Sequence, residues 1–419
     1  MNLYKPFGFA CLCATVLAAP PALAAPTHNT ADLTWLLSQL KQHPNLQADF
    51  QQLQSATASV RAAGQSLYNP NLESSIEKEG DANNFSIGLS QTFDINDQQQ
   101  AQHSAALLTL VAQQQRLQLT YLQLVEQTLI ALINWRSSKA AFQLAQQQEQ
   151  QLERLVTVVK RRRAAGEVGL LDEQLALYSL SEILNQTAQQ ASAYAGAKLA
   201  VQALLPTWHE DGQLTPEQLL SGIKLTTDTE NVVQHPQLLL VKSQWQQQRQ
   251  QVKVVKAERA VKPTIGLVAG KNGDDNLVSV SFSMPLNIVN NFSDEYQAAE
   301  FTVMSKEAEY QALKRTMTFQ AQASKEVMQA YAQRVKRWQS INQANADSSL
   351  ALIEQQWQSG DISTAEYLTM RQQRISGLLA GIEIVQQSQL ASVNWLTQSG
   401  QLSHYISTFT DPLTDGAAL

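Results

Sequence analysis

The sequence of 419 residues repeats itself over nearly its whole length. Three short patterns return about 192 to 194 residues later: His43-Pro44 as His235-Pro236, Asn69-Pro70-Asn71 as Lys262-Pro263-Thr264, and Gly166-Glu167-Val168 as Gly360-Asp361-Ile362. Because the offset hardly changes, both halves are expected to fold to the same plan, with breaks at equivalent places. The architecture must therefore be built from two similar units.

The N-terminus has the pattern of a secretory signal peptide. Lys5 provides the positive charge, an apolar stretch follows, and Ala22-Leu23-Ala24 is a small-x-small cleavage site. Removal of residues 1–24 would take away both cysteines, Cys11 and Cys13, so no disulfide or thiolate metal site is expected. No later apolar run reaches about 18 residues, so no transmembrane helix is predicted. Such an exported chain is either soluble in the periplasm or inserted in an outer membrane as a β-barrel.

Each half contains two segments in which apolar and small polar residues alternate. This period of two predicts β-strands of roughly 9–11 residues, a length that crosses a bilayer when the strand is tilted. The strands are expected at about residues 70–79, 84–94, 263–271 and 277–287. Four strands cannot close a barrel, and open sheet edges are not tolerated in hydrocarbon, so the chain is expected to oligomerise. Three copies give twelve strands and a lumen, whereas the eight strands of two copies would be filled by side chains.

Very long helices are predicted after the strands. No Pro or Gly interrupts residues 96–163 or residues 293–359, which predicts two helices of roughly 100 Å at 1.5 Å per residue. Apolar residues recur on two flanks, which suits a wall in which each helix has a neighbour on either side. Shorter helices are expected at residues 31–67, 172–205, 231–261 and 366–398. We call the helices at 31–67 and 231–261 the opening helices and those at 172–205 and 366–398 the return helices. Each is about half as long as a long helix, so an opening helix and a return helix stacked end to end match one long helix.

This order of elements resembles the TolC-type outer-membrane efflux factor family, and the compact length and short tail are most similar to its heavy-metal-efflux branch. The resemblance implies a mainly α fold with a membrane β-barrel portion. Three chains would form a channel-tunnel, each giving four strands to a twelve-strand barrel and coiled-coil-like helices to a periplasmic helical barrel. It divides the processed chain into two repeats, an equatorial connector and a tail. The first repeat would be residues 25–205, the connector 206–230, the second repeat 231–399 and the tail 400–419.

The resemblance also implies partners and a location. The chain would be the passive exit duct of a tripartite efflux pump in the outer membrane of a Gram-negative bacterium, with a large periplasmic portion. Its partners would be two further copies, a periplasmic adaptor (membrane fusion) protein, an inner-membrane transporter of the RND type and outer-membrane lipid. A net charge of −6 without a basic stripe argues against nucleic acid as a partner.

Two tips between helices carry the family pattern of a Gly followed six positions later by an acidic residue. They read Gly166-Glu167-Val168-Gly169 with Asp172, and Gly360-Asp361-Ile362-Ser363 with Glu366. Gly relieves the cost of a positive φ at a helix C-terminus, and Ser or an acidic residue suits the start of the next helix. Two ordinary helix hairpins would explain the same residues. The resemblance implies that these tips contact the adaptor.

Glu366 matches a position that rings the periplasmic constriction in the family. A threefold axis would bring three copies together as an electronegative gate that favours cations. The chain departs from the family pattern at Thr369, where a second acidic residue is frequent, and this weakens the expected cation filter. The basic run Lys160-Arg161-Arg162-Arg163 precedes only the first tip. It either complements the helix dipole on a solvated surface or pairs with acidic residues of a neighbouring helix or the adaptor.

No motif in the sequence indicates catalysis or the binding of a cofactor or metal. The six histidines are scattered without an i, i+4 pair, and there is no nucleophile elbow, P-loop or zinc-protease signature. We therefore predict no catalytic residue, no cofactor and no metal site, and thus no enzyme. From a different class, a soluble periplasmic coiled-coil scaffold stays open. Within the conduit class, metal ions, drugs and proteins secreted by a type I system are alternative cargoes.

Overall fold

The computed structural model describes residues 28–80, 82–210, 230–343 and 348–407. The predicted signal peptide, most of the predicted connector and the end of the tail lie outside these ranges. The described helices are α1 His28–Lys41, α2 Pro44–Ala63, α3 Gln98–Ala164, α4 Leu170–Leu204, α5 Pro236–Glu258, α6 Ser293–Gln343, α7 Ser348–Ser359, α8 Thr364–Gln398 and α9 Gln401–Ser407. The strands are β1 Asn71–Glu79, β2 Ala82–Thr92, β3 Thr264–Asn272 and β4 Asp275–Ser283, and a short 3₁₀ turn spans Glu230–Gln234.

The opening helices differ from the sequence prediction. The first is divided into α1 and α2, and the second begins at Pro236 after the 3₁₀ turn. The reason is the His-Pro pair, because proline disfavours a helical residue before it. The imidazole Nδ1 of His43 accepts the backbone N–H of Asn45 at 3.2 Å, and His235 accepts that of Gln237 at 3.1 Å. Each histidine therefore caps the helix that its proline opens.

The four strands form one antiparallel sheet in the order β1-β2-β3-β4. Glu79 pairs with Ala82, and Asn272 pairs with Asp275, so two residues separate the strands of each hairpin. Gly80 and Gly273 both adopt φ of +62°, the left-handed conformation that such turns require. The predicted end of the fourth strand at residue 287 is wrong, because the ladder ends at Ser283, before Pro285, which cannot donate a hydrogen bond.

Helix α3 lies at the centre of the helical part. Near its start, the Gln99 side chain donates to the Gly64 carbonyl at 2.8 Å, and Gln250 of α5 donates to Ala101 at 3.4 Å. Near its end, Arg163 forms an ion pair with Glu173 of α4. Helices α2 and α5 therefore cover the first half of α3 and α4 the second half. At 67 residues, α3 is about 100 Å long, and the predicted end-to-end stacking is confirmed for α2 and α4.

A hydrophobic core fills the region between the two stacked helices. Leu36, Leu37 and Leu40 of α1 pack with Leu132 and Trp135 of α3, and all are almost fully buried. Burial of each such side chain contributes about 1.5–3 kcal/mol. The indole of Trp208, just after α4, meets Trp135 edge to face at a centroid distance of 4.8 Å. This core holds the start of the connector against the middle of α3.

Glu210 provides a second anchor for the same segment. Its carboxylate lies 3.1 Å from Lys139 Nζ and 3.0 Å from Lys198 Nζ, and it accepts a hydrogen bond from the Tyr194 hydroxyl. The Tyr194 hydrogen bond, followed by those from Lys198 and Lys139, lowers the pKa of Glu210 to about 2. The described part of the connector is therefore tied to both α3 and α4 by charge as well as by packing.

The second long helical stretch, α6 with α7, packs against the sides of α5 and α8. Residues 344–347, which would join α6 to α7, lie outside the described ranges. The indole of Trp338 rests directly on Gly381 of α8, where an added Cβ would lie 2.0 Å from the ring. No described helix combines the length and the hydrophobicity that a bilayer-spanning helix requires.

Candidate functional site

The first predicted tip is a Schellman turn that ends α3. The N–H of Glu167 donates to the Arg162 carbonyl at 2.9 Å, and the N–H of Gly166 donates to that of Arg163 at 2.9 Å. Gly166 has φ of +78°, which only glycine adopts at little cost. The Asp172 carboxylate then accepts the Gly169 N–H at 3.0 Å and caps the start of α4.

The second tip repeats this geometry at the end of α7. Asp361 N–H donates to the Gln356 carbonyl at 2.9 Å, and Gly360 has φ of +83°. Ser363 and Glu366 form a reciprocal capping box at the start of α8. The Ser363 N–H donates to the Glu366 carboxylate at 2.8 Å, and the Glu366 N–H donates to the Ser363 hydroxyl at 3.3 Å. The Ser363 hydroxyl also donates to the carboxylate at 2.8 Å. The backbone N–H of Ser363, followed by its hydroxyl, lowers the pKa of Glu366. The carboxylate is therefore held ionised and exposed to solvent.

Arg162 joins the two tips. Its Nε donates to the Glu167 carboxylate at 3.2 Å, while the two terminal nitrogens donate to the carbonyls of Trp357 at 3.4 Å and Gln358 at 2.9 Å. The guanidinium also lies 5.1 Å from the centre of the Trp357 ring. These two carbonyls are at the C-terminus of α7, where a cation complements the helix dipole. Arg162 of the basic run thus stabilises the second tip. Arg163 stabilises the first tip, because its ion pair with Glu173 joins α3 to α4.

A small apolar cluster packs behind the tips. Trp357 and Tyr367 stack with their centroids 5.0 Å apart, and the Trp357 indole N–H donates to the Thr364 hydroxyl at 3.3 Å. Val168 and Ile362, which the sequence assigned to contact with the adaptor, are half-buried against this cluster. These two residues therefore brace the tips, while Gly166, Glu167, Gly169, Asp361 and Ser363 are exposed.

A cavity of about 250 Å³ lies one to two helical turns behind the second tip, between α3, α4 and α8. Arg371 enters it from α8 and is only 7% exposed. Its guanidinium donates to the Tyr367 hydroxyl at 3.2 Å and to the side-chain oxygens of Gln148 and Gln151 at 3.0 Å each. These partners are neutral, and Glu182 of α4 supplies a negative charge to the same cavity.

Thr369 is on the exposed side of α8 and also lines this cavity. Its hydroxyl donates to the Ala365 carbonyl of its own helix at 2.8 Å. Within the single chain, Glu366 and Thr369 therefore occupy the exposed side of the second tip, one turn apart. The gate function of these two residues stays a prediction, because it depends on the positions of further copies.

Sequence reasoning missed Arg162, Trp357, Tyr367 and Arg371. Arg162 was visible only as part of a charged run, and the signal for its role was the aromatic residue three positions before Gly360. Arg371 was indicated only by its place four residues after Tyr367, on the same face of the helix. Among the residues that the structure describes, no three His, Cys, Asp or Glu side chains come together as a possible metal site.

At the opposite end of the molecule, the sheet has one apolar and one polar face. The strand register aligns the apolar side chains on one face, and all of these are exposed: Leu72, Ile76, Phe85, Ile87, Leu89, Ile265, Leu267, Val278, Val280 and Phe282. The other face carries mainly Ser, Thr and Gly, with hydroxyl pairs such as Ser75–Ser86 at 2.7 Å. A Cβ on Gly270 would lie 2.1 Å from the Phe85 carbonyl, so this face also requires small residues.

Solved structures with the same fold include a membrane protein from Pseudomonas aeruginosa, with a TM-score of 0.77 at 16% identity over 88% of this chain and 92% of that one. The CmeC outer membrane channel of Campylobacter jejuni gives 0.75 at 14% identity over 91% and 90%. The outer membrane protein VceC of Vibrio cholerae gives 0.71 at 16% identity over 88% and 96%. No family model and no curated protein matches the sequence. The predicted fold class, mainly α with a small strand portion, is confirmed.

Proposed function

We propose that this chain is the outer-membrane exit duct of a tripartite efflux pump. It acts as a passive channel and catalyses no reaction. The sheet lies in the outer membrane and the helices extend into the periplasm. The transport energy comes from an inner-membrane transporter, for which we propose the RND type, and a periplasmic adaptor protein links the two.

The observation that carries this proposal is the sheet with ten exposed apolar residues on one face, built on helices about 100 Å long. Exposed apolar surface of this extent marks contact with a membrane or a partner. A soluble scaffold would gain nothing from it. The fold supports the same conclusion, since solved proteins that share it are outer membrane channels.

The edges of the sheet support our proposal on the number of copies. Within the described chain, β1 and β4 each pair on one side only, so each leaves a row of backbone groups without a partner strand. Such edges cannot face hydrocarbon. Pairing of β4 with β1 of the next copy satisfies both, and three copies give a twelve-strand barrel with an open interior. We therefore propose a homotrimer.

The helix tips are the proposed contact with the adaptor. The exposed backbone and side chains at Glu167, Gly169, Asp361 and Ser363 form its surface, and Asp172 and Glu366 fix the helices that present it. In the trimer, Glu366 of each copy lines the periplasmic gate, with Thr369 one turn behind it. Single-channel recording of Glu366→Gln tests this role. We expect reduced cation selectivity; unchanged conductance and selectivity would contradict it.

For the cargo we propose metal cations first, from the resemblance to the heavy-metal-efflux branch, with drugs and proteins as the alternatives. An exit duct requires no binding site for its cargo. Deletion of the chromosomal copy distinguishes the three cargoes by whether the cells become sensitive to metal ions, become sensitive to drugs or stop secreting a protein.

Cell fractionation followed by chemical crosslinking tests the proposed function. We expect the protein in the outer-membrane fraction, where the detergent extract yields crosslinked species up to three copies. A soluble periplasmic monomer or dimer would overturn the proposal and favour the scaffold. A trimer in the outer membrane that gives no conductance in planar bilayers would retain the location but remove the channel.

A further inference from the structure

The apolar face of the sheet does not by itself match the thickness of a membrane. It extends from the row of Ile76 and Phe85 to the row of Ile265 and Phe282, which on β2 is the six-residue interval from Phe85 to Gln91. At about 3.3 Å per residue and a tilt of about 40°, this interval covers about 15 Å of membrane depth. The apolar band of a membrane barrel is about 25 Å tall. About 10 Å must come from residues outside the ladder.

Both linkers between strand and long helix continue the alternation. After β2, Phe93 and Ile95 keep the odd-numbered parity of Phe85, Ile87 and Leu89 and are exposed. After β4, Met284, Leu286 and Ile288 keep the even-numbered parity of Val278, Val280 and Phe282 and are also exposed. The ten-residue interval from Phe85 to Ile95 covers about 25 Å of depth, so the linker supplies the missing 10 Å or so.

The second linker is longer than the first. Asn96 and Asn287 occupy equivalent places and act alike: their side chains donate to the carbonyls of Val261 at 3.2 Å and Arg259 at 2.6 Å, at the end of α5. After Asn96, α3 begins within two residues, whereas Ile288 to Phe292 precede α6. These five additional residues begin with a bend at Ile288 and Val289, whose aliphatic side chains are 83% and 98% exposed.

Residue types that are typical of a membrane interface lie near this bend. The Arg259 guanidinium lies 5.8 Å from the ring centre of Tyr296, in the first turn of α6. Tyrosine and basic residues are enriched at the level of the lipid headgroups. The end of the linker is also fixed, because the Asn290 side chain accepts the Phe292 N–H at 2.9 Å and Asn291 accepts that of Ser293 at 3.0 Å. The two aliphatic side chains are therefore held outward on an ordered segment.

We infer that Leu286, Ile288 and Val289 form a second membrane contact, which lies at the edge of the acyl chains of the periplasmic leaflet, next to the headgroups, and sets the depth of the channel. This inference rests on the proposed function, because it requires the sheet to lie in the membrane. The first repeat lacks the Ile288–Val289 pair, so each copy would contribute one such anchor. The alternative occupant of the same residues is a second copy of this chain.

Site-specific fluorescence tests the anchor. Both cysteines of the sequence lie in the predicted signal peptide, so single cysteines can be placed at Val289, Val280 and Leu199, with Cys11 and Cys13 replaced by serine. Each full chain is labelled with an environment-sensitive dye and reconstituted into phosphatidylcholine–phosphatidylglycerol vesicles. The lipids carry bromine either near the headgroup or near the chain end. Val280 reports on the sheet face, and Leu199, exposed on α4, reports on the helical part.

We expect strong quenching at Val280 and Val289 and none at Leu199. Quenching at Val289 should be greater with bromine near the headgroup, because the bend lies at the edge of the apolar band. Quenching at Val280 alone would overturn the anchor and leave the proposed function intact. A blue-shifted but unquenched dye at Val289 would assign these residues to contact with a second copy. Absence of quenching at both positions would contradict the proposed function itself.

Discussion

The long helices α3 and α6 arise from equivalent places in the two halves of the sequence but lie in different surroundings. Helix α3 packs against α1, α2, α4, α5 and α8, whereas α6 packs mainly against α5, α8 and the short 3₁₀ turn at Glu230–Gln234. The remaining surface of α6 carries exposed apolar side chains: Phe301, Met304, Phe319, Val327 and Ile341. The same order of elements thus gives a central helix in the first half of the chain and an edge helix in the second half.

This difference is what we expect if the single chain is part of a wall built from several copies, as proposed above. A flank that is covered on α3 is uncovered on α6, and α4 exposes Leu171 and Tyr178 on the other side. The sheet is incomplete in the same way, because β1 and β4 each lack a partner strand on one side among the residues that the structure describes. Further copies that cover α6 would make its surroundings like those of α3.

The largest contrast is expected from truncating one apolar side chain on each long helix. Leu132→Ala on α3 should cost about 2–5 kcal/mol, because the side chain is completely buried and leaves a cavity. Phe319→Ala on α6 should leave the fold of a dissociated chain nearly unchanged and weaken the association of copies. Circular dichroism melts and light scattering measure the two effects. Equal losses of folding stability, with no change in association, would remove the distinction between centre and edge.

The comparison sharpens at the tips, where Arg162 connects the two halves. Arg162→Ala removes hydrogen bonds to three partners and should cost about 1–3 kcal/mol of local stability, because the carbonyls at the end of α7 lose a cationic donor. Hydrogen exchange of the amides from Gly360 to Glu366 should accelerate. The matched control is Arg161→Ala, which removes an exposed cation from the same turn. Equal exchange in both variants would show that the tips are not coupled through Arg162.

The starts of the two return helices allow a reciprocal exchange. Ser363→Ala removes the cap of α8 and should cost about 1 kcal/mol. Gly169→Ser should give α4 the cap that α8 already has, with a gain of a few tenths of a kcal/mol, since its extended backbone accommodates serine. Hydrogen exchange of the amides in the first turn of each helix measures how much that turn frays in the two variants. The same sign of change in both variants would contradict the assignment of Ser363 as a cap.

An effect confined to acidic pH is expected at Glu210, which ties the connector to the first half. Its pKa is lowered to about 2, so its contribution is present above the ordinary glutamate range and is lost as the pH falls from about 4.5 towards 2. Trp208 fluorescence should therefore change on acidification in the parent chain and less in Glu210→Gln. The exposed Glu153→Gln serves as the control. Identical acid titrations of the Glu210 variant and the parent would exclude this anchor.

The long helices, the hairpins and both tips were predictable because their signals are local. The absence of Pro and Gly indicates α3, alternation indicates β2, and the glycines at 166 and 360 indicate helix ends. The bridge from Arg162 to Trp357 was not predictable, because it joins residues 195 positions apart in the sequence. The burial of Arg371 depends likewise on how α3, α4 and α8 meet. The end of β4 at Ser283 was predictable from Pro285, but the alternation of apolar residues beyond it favoured a longer strand.

The most direct test of the central claim is disulfide crosslinking between the two edges of the sheet. Ser74→Cys on β1 is combined in turn with cysteine at Val278, Val280 or Phe282 on β4, which covers the possible registers between copies. Within one chain these edges are three strand spacings apart, about 14 Å, so no disulfide can form. We predict that oxidation of outer membranes gives a covalent ring of three copies for at least one pair. Monomers for every pair would contradict the account.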